Sequence, residues 1–375
     1  MVYFDNAATT QPLPCAAAAS VNAIENFGNP SSLHKLGLNA SQIVSAARKS
    51  VAASLGVSEN EIFFTSGATE ADNTAVFGAA YSLGKRKKRI VTTTVEHPAI
   101  AEPMKVLESE GYEIVRISPR DGTFAAEDII SAVDDNTCLV SCMLCNNETG
   151  DILPIGRAFR QIKKHFPRVL THCDMVQGYL KLPFKAKDLG ADMISISGHK
   201  VHALKGIGAL YIRKGVHIRG LVYGGGQERG FRSGTESVPL IAAFGAAVDE
   251  LYKNMDSRST YVQSLSNYLR EKIEQTEGLH LNSRAEGSPY VNSIYVDGLR
   301  SEIMLHFLEE REIYVSSGSA CSKGKKSSVL SEYGVPDRAA DSTLRISFCA
   351  ENTTAQIDEL IDALKAAQAT LLSVK

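Results

Sequence analysis

Two hydrophobic periodicities alternate along the chain. Apolar residues recur at helical spacing at Ile43, Val44, Ala47, Val51 and Leu55, again at Ile155, Phe159, Ile162 and Phe166, and again at Ile357, Leu360, Ile361 and Leu364. Between such stretches lie short β-branched runs: Glu61–Thr65, Arg89–Val95, Tyr112–Ile117, Cys138–Leu144, Val169–Asp174, Met193–Ser197 and Gly208–Ile212. This alternation predicts an α/β fold, a mostly parallel sheet with helices on both faces. Sheets of that kind bind ligands beyond the carboxyl ends of their strands. Several predicted strands end there in polar clusters: Thr65-Ser66-Gly67, Glu96-His97, Asn146-Asn147-Glu148, Asp174 and Ser197-Gly198-His199-Lys200. That is the layout of one shared site.

The alternation weakens near residue 236, where a long helical stretch runs to Gln275. A strand over Val291–Val296, a helix over Ser301–Glu310, strands over Ile313–Ser316 and Thr343–Phe348 and a last helix follow. The pattern predicts a large domain over residues 16–255 and a smaller α/β domain built from residues 1–15 and 256–375.

Composition narrows the function classes. The 375 residues are 44% hydrophobic and 22% charged, as in a soluble globular enzyme. Lys plus Arg is 40 and Asp plus Glu is 42, a net charge of −2, so no basic excess points to direct nucleic-acid binding. No apolar run approaches the roughly 20 residues that span a bilayer, so no membrane partner is expected. Met-Val-Tyr-Phe-Asp-Asn lacks the charged start of a secretory leader. Seven scattered Cys do not suggest a disulfide scaffold, and a reduced cytoplasmic protein is expected.

Lys200 stands at a predicted strand end, where a lysine of depressed pKa can form a Schiff base. Asp174, ending the preceding strand, is placed to hold a pyridinium nitrogen, with Gln177 nearby to donate to a phenolic oxygen; the ordinary role of Asp174 would be a helix cap. Thr65–Glu70 opens a helix, an arrangement that suits a phosphate but equally suits N-capping. His97 precedes Pro98 and is a candidate for ring stacking or proton transfer against a purely structural role. Gly224–Thr235 is Gly-rich without Walker A spacing, and Gly318–Lys326 does not supply that spacing either. Cys321 lies in Ser316-Ser317-Gly318-Ser319-Ala320-Cys321-Ser322-Lys323-Gly324-Lys325-Lys326, where cations favour a thiolate and the Gly/Ser flanks predict a mobile arm; an incidental thiol is the alternative. Cys138, Cys142 and Cys145 have the spacing of some iron–sulfur ligands, but they sit in a buried-strand pattern in which Cys138 and Cys142 share a face. Cys15, Cys173 and Cys349 read as packing residues, and no His pattern suggests a metal site.

In order and spacing these segments resemble the cysteine desulfurases of the NifS/IscS group, within the class V aminotransferase-like, fold type I family of pyridoxal phosphate enzymes. The resemblance runs nearly end to end through Tyr3–Thr10, Phe27–His34, Phe64–Asn73, Glu96-His97, Asn146–Gly150, His172–Gln177, Ser195–Lys200, Gly224–Thr235, Ser316–Cys321 and Leu344–Phe348. It implies that Lys200 carries pyridoxal 5'-phosphate, with Asp174 on the pyridine nitrogen, Gln177 on the phenolic oxygen and His97 stacked on the ring. Ala68, Thr69, Ser197 and His199 would hold the phosphate, and Thr235 would reach the phosphate of a second subunit in a homodimer. Asn147 and Arg345 would position L-cysteine. Cys321 would take its sulfur as a persulfide, leave L-alanine, and pass the sulfur to an acceptor protein serving iron–sulfur cluster, tRNA-thiolation or cofactor synthesis.

Other activities on the same frame are an aminotransferase or a selenocysteine lyase, and the non-enzymatic alternative is a degenerate or cluster-holding partner protein. Three departures from the family pattern are visible. Met175 and Val176 replace small residues and are expected to change packing under the ring. Ala203 and Leu204 replace Gly-Pro and are expected to change that turn. The chain ends at Lys375, without the extension that helps longer members dock a scaffold.

Overall fold

The structure, a computed structural model, describes residues 1–83, 87–318 and 327–371. Its centre is a seven-stranded sheet in the order Ile62–Thr65, Gly208–Ile212, Met193–Ser197, Leu170–Asp174, Thr137–Met143, Arg89–Thr93, Glu113–Ile117. Only Gly208–Ile212 runs against both neighbours; the other pairings are parallel. Thr137–Met143, Met193–Ser197 and Gly208–Ile212 are buried at every residue, as strands covered on both faces must be.

Alternate residues of each strand feed two different cores. Ile90, Leu139, Met193 and Leu210 pack under the helices Ala68–Leu83 and Pro98–Ser109. Their neighbours Val91, Val140, Ile194 and Ala209 pack under Lys35–Leu55, Ile155–His165 and Val238–Lys253. Ala68–Leu83 lies close to the sheet because Ala71, Ala75, Ala79 and Ala80 form its buried stripe. A third core joins Val2 and Phe4 to the helices Met255–Glu274, Ser301–Glu309 and Thr354–Thr370. An antiparallel sheet ordered Ser316–Ser317, Thr343–Ser347, Val291–Val296, Leu279–Leu281 belongs to it. Val2–Tyr3 pairs with Ile313–Tyr314 in parallel.

Four expectations are corrected. The helical stretch ending near Gln275 is two helices, Val238–Lys253 and Met255–Glu274, broken at Asn254 (φ −110°, ψ 13°). Both halves are amphipathic, but the first buries Ile241 and Phe244 in the large core and the second buries Leu265 and Leu269 in the small one. The strand expected over Ile313–Ser316 is divided between two sheets, at Ile313–Tyr314 and Ser316–Ser317. Cys138 does not share a core with Cys142: a register shift opposite Arg89 and Ile90 leaves it unpaired, and it packs on the side of Leu139. Cys15 is exposed rather than packed, because it lies on the outer side of the helix Pro14–Glu25, whose buried residues are Ala16, Ser20 and Ala23.

The Gly-rich segment Gly224–Thr235 is pinned to the sheet by one buried ion pair. Arg48 donates through both Nη atoms to Glu228 at 2.7 Å and through Nη1 to the Ile62 carbonyl at 2.8 Å, and Glu228 also accepts from the Phe64 N–H at 3.1 Å. Glu228 and Arg229 adopt positive φ (47° and 57°), a conformation that this anchoring holds in place. Removing one partner strands the other charge in the core. Arg48→Met is therefore expected to destabilise the fold by about 3–5 kcal/mol in denaturant unfolding, and a loss below ~1 kcal/mol would refute the anchoring role.

Candidate active site

The polar ends of the parallel strands open into a cleft of about 830 Å³. One wall comes from the large core and the other from the third core, through Asp5, Ser316, Ser317, Gly318 and Arg345. Ala68, Thr69, His97, Asn147, Asp174, Gln177, Ser197, His199, Lys200 and Arg345 all line it. Thr235 does not line the cleft of its own chain and is exposed. Cys321 follows Gly318 by three positions and lies outside the described residues.

Lys200 ends a single 3-10 turn, Gly198–Lys200, directly after the strand Met193–Ser197. Gly198 is needed there, since a Cβ would stand 2.7 Å from Ile207 Cγ2. The Lys200 amine donates to the Ala7 carbonyl at 2.6 Å and also to the Ala8 carbonyl. Burial, and then the cations Lys181 and Arg345, bring its pKa down to about 7 despite Asp5 and Asp174. Close to neutrality much of this amine is therefore an uncharged nucleophile.

Asp174 ends the neighbouring strand and is buried. Its Oδ1 accepts from the Val176 N–H at 2.9 Å. Burial still pushes its pKa above the ordinary carboxylate range, against that bond and against His97 and Lys200. Among the described residues Asp174 makes no ion pair, and it lines the cleft. His97 caps the helix Pro98–Ser109, with Nδ1 accepting from the Ala99 N–H at 3.1 Å. A nitrogen that accepts carries no proton, so the neutral ring keeps its proton on Nε2. Burial lowers its pKa, and Lys200 lowers it further against Asp174. His97 thus has a structural role as a helix cap and also a place in the cleft.

Gln177 Nε2 donates to the Ala7 carbonyl at 2.9 Å, and its Oε1 accepts from Lys181 Nζ at 3.2 Å. His199 Nδ1 meets Thr9 Oγ1 at 3.2 Å, and burial followed by Lys200 lowers its pKa to about 4, so the ring is neutral. Arg345 is held by Asp5 Oδ1 at 2.9 Å, Ser316 Oγ at 3.0 Å and the Asn147 carbonyl at 3.0 Å. Its Nε is buried without a hydrogen-bond partner among the described residues.

Sequence reasoning missed several residues here. Asp72, on Ala68–Leu83, is buried in the wall of the same cleft, and its Oδ1 is 3.7 Å from His172 Nε2. His172 is clamped between Ser141 Oγ and Ser195 Oγ, each at 2.9 Å, and burial depresses it to about 3, a neutral polar link. Asp72 was legible as an acid inside an alanine stripe. Lys181 was legible as one lysine among Tyr179, Leu180 and Leu182. Asp5 gave no signal, since only folding brings it to Arg345, 340 positions away.

At the opposite end of the cleft, the Ser66-Gly67 turn leads into Ala68–Leu83. Gly208 lets that turn sit on the sheet: a Cβ there would lie 2.8 Å from the Gly67 carbonyl carbon. The free N–H groups of the first helical turn, with Thr69, Ser197 and His199 beside them, form a donor set for a doubly charged anion. An anion cradle, a nucleophilic lysine and a buried carboxylate thus line one cleft.

A family description, aminotransferase class V, matches residues 2–360. The chain belongs to that family. A NifS/IcsS protein homolog of Lactobacillus delbrueckii subsp. bulgaricus is 38% identical over 373 residues, covering 97% of this chain and 96% of its own length. A cysteine desulfurase of Nostoc sp. is 38% identical over 377 residues, covering 97% and 92%. A solved NifS-like protein superposes with a TM-score of 0.93 at 37% identity, over 99% of this chain and all of the other. The fold is that of the class V, fold type I enzymes, and the cofactor is pyridoxal phosphate. The residues fit it: the unmatched buried Asp174 suits a protonated ring nitrogen, and the helix-start donors suit a phosphate.

The two substituted stretches are accommodated locally. Met175 is buried, while Val176 adds its side chain to the cleft wall. Beside Ala203 and Leu204 the chain turns through His202 (φ 57°) and Gly206 (φ 88°). His202, Cys349 and Glu351 bring ligand-type atoms within 4.8 Å of one another, but Arg258 already binds Glu351 at 2.8 Å. Lys181, Lys200 and Arg258 also line that small pocket, which makes it unsuited to a further cation.

The depressed pKa has a direct test. In cofactor-free protein, pH-dependent labelling of Lys200 by a small amine reagent, read by mass spectrometry, should show a midpoint near 7. A midpoint at the ordinary lysine value would refute the environment described.

Proposed function

We propose that the chain is a cysteine desulfurase that converts L-cysteine to L-alanine and takes the sulfur on Cys321. What carries this reading is that Lys200 and Asp174 face, across one cleft, the strand Ser316–Ser317 and Gly318 that lead into Cys321. The sequence match to proteins named cysteine desulfurase supports it independently.

In this reading Lys200 holds the cofactor, Asp174 faces its ring nitrogen and Gln177 its phenolic oxygen. His97 stacks on the ring, while Ala68 (backbone), Thr69, Ser197 and His199 hold the phosphate, and Asn147 serves the substrate end, where its carbonyl accepts from Arg345. When bound, the cofactor would supply an electron sink for the bonds around the substrate's α-carbon. Lys200, whose amine is in large part uncharged close to neutrality, is suited to take the α-proton. His97 carries a proton at Nε2 and can pass it across the ring. Arg345 is already oriented by Asp5, Ser316 and Asn147 and lines the cleft, where its guanidinium charge suits the substrate carboxylate. The Cys321 thiolate attacks the substrate sulfur, the carbon–sulfur bond breaks toward the α,β-carbons, and protonation there yields alanine. Cys321 keeps the sulfur as a persulfide for an acceptor protein.

The reading includes a homodimer in which Thr235 serves the partner's phosphate. Thr235 is turned away from its own cleft, and Phe27, Leu33 and Tyr223 are 78%, 93% and 71% exposed, apolar area that a second copy would cover. It also takes the two sets of cores as the two domains, 16–255 and 1–15 with 256–375: Met255 still packs against the large core, and Val262 is buried in the small one. A cytoplasmic setting suits the unpaired cysteines, and among the described residues no helix is long and apolar enough to cross a membrane.

Cofactor-loaded protein given L-cysteine should release alanine and persulfide sulfur in equal amounts. Cys321→Ser should abolish both, and transamination that survives this change would favour an aminotransferase. Arg345→Lys should raise KM for L-cysteine on the order of tenfold to a hundredfold in steady-state kinetics, from the loss of a charge-assisted bond of roughly 1.5–3 kcal/mol. An unchanged KM would remove Arg345 from the substrate site.

A further inference from the structure

Lys181 is a buried lysine that the chemistry above does not use. It is 7% exposed, between buried Leu180 and Leu182. Its Nζ donates to Gln177 Oε1 at 3.2 Å and lies 5.9 Å from the centre of the Tyr290 ring. Besides the depressing effect of burial, the groups that bear on its charge are the thiols of Cys145 and Cys349 and the guanidinium of Arg345, rather than a carboxylate. We propose that Lys181 is a positioning residue of the cofactor site: it makes Gln177 an obligatory donor toward the cleft and holds positive charge behind Lys200. The inference rests on the reading of the cleft as a pyridoxal phosphate site.

The first half follows from hydrogen-bond inventory. An amide side chain can flip, exchanging its donor and acceptor ends. Gln177 cannot do so here without losing both partners. Lys181 only donates, so it must meet Oε1; the Ala7 carbonyl only accepts, so it must meet Nε2. The same Ala7 carbonyl accepts from Lys200, which ties Lys181, Gln177 and Lys200 into one chain of contacts. Nε2 has two N–H bonds. With one on Ala7, the other remains for the cleft that Gln177 lines, where it can serve only an acceptor. A phenolic oxygen is such a group.

The second half is electrostatic. Around Lys200, burial, Lys181 and Arg345 disfavour the protonated form, while Asp5 and Asp174 favour it. Lys181 is the first of the two cations. Burial lowers Lys181 itself only to about 8, so at neutral pH it is still mostly charged. Its charge therefore helps keep the Lys200 nitrogen deprotonated.

The test uses the full-length, cofactor-loaded protein and the pH midpoint of the cofactor's visible absorption. Lys181→Met and Lys181→Gln should move that midpoint upward by about one pH unit, the scale on which a neighbouring like charge acts. Lys181→Arg, which keeps donor and charge, should leave the midpoint close to that of the parent. Lys181→Gln keeps a polar side chain and carries the test if Lys181→Met does not fold. A purely structural lysine would change thermal melting in these variants without moving the midpoint, and that result overturns the proposal. Lys200→Ala runs in parallel. If it removes the protein-linked band, the cofactor reading stands and the midpoints bear on Lys181 alone; if it leaves the band unchanged, the cofactor reading itself has failed.

Discussion

The site depends on the burial of one amine. Lys200 would be an ordinary solvated cation if it stood on a surface. Here it ends the short turn after a buried strand and donates to the Ala7 and Ala8 carbonyls, in company with Lys181 and Arg345. Desolvation penalises the charged form, and the neighbouring cations act in the same direction. Asp174 is the complementary case: burial penalises the anion, so the carboxyl stays in want of a cationic partner. One cleft thus contains a lysine biased toward neutrality and an acid that a protonated ring nitrogen would stabilise.

Two cores must meet for this to work. Residues 1–10 carry the connection. Val2 and Phe4 are buried in the small core, and Ala7 accepts from Gln177 and Lys200 on the large one. Thr10 Oγ1 donates to the His199 carbonyl at 3.0 Å and accepts from the His202 N–H at 2.7 Å. Asp5 then crosses to Arg345 at 2.9 Å. A shift of the small core relative to the sheet would therefore be transmitted through the first ten residues to the lysine, the glutamine and the arginine together.

Much of this was legible in the sequence. The seven predicted central strands all exist: the inner ones are buried on both faces and read as continuous apolar runs, while the half-exposed edge strand Glu113–Ile117 was legible from its β-branched residues. Lys200, Asp174 and His97 were legible because each stands at a strand end, where topology alone brings chemistry together. What escaped depended on distance or on context that periodicity does not encode. The break at Asn254 separates two amphipathic helices that share a period but serve different cores. The displacement of Cys138 comes from a register shift, a property of the pairing and not of either strand. The pairing of Arg345 with Asp5 joins the two ends of the chain, and the Gln177 contact with Lys181 depends on a turn whose side-chain directions no simple period predicts.

The distribution of charge in the cleft explains why one site suits two different anions. Lys200 and Arg345 stand in the wall against Asp5, Asp72 and Asp174, with Lys181 buried beyond it and the helix start at Ala68 adding partial positive charge. Asp5 is committed to Arg345 and Ser316 and Glu70 to Arg232, while Asp72 and Asp174 are buried carboxyls of the wall. The His97 and His199 rings are both depressed toward neutrality and add donors without adding charge. In the proposed reading, a phosphate at the helix start and a carboxylate at Arg345 would each meet positive potential, while a cationic ring nitrogen would meet the buried acid Asp174. Those three positions in one cleft would let a single bound ring be anchored, polarised and presented to a small amino acid.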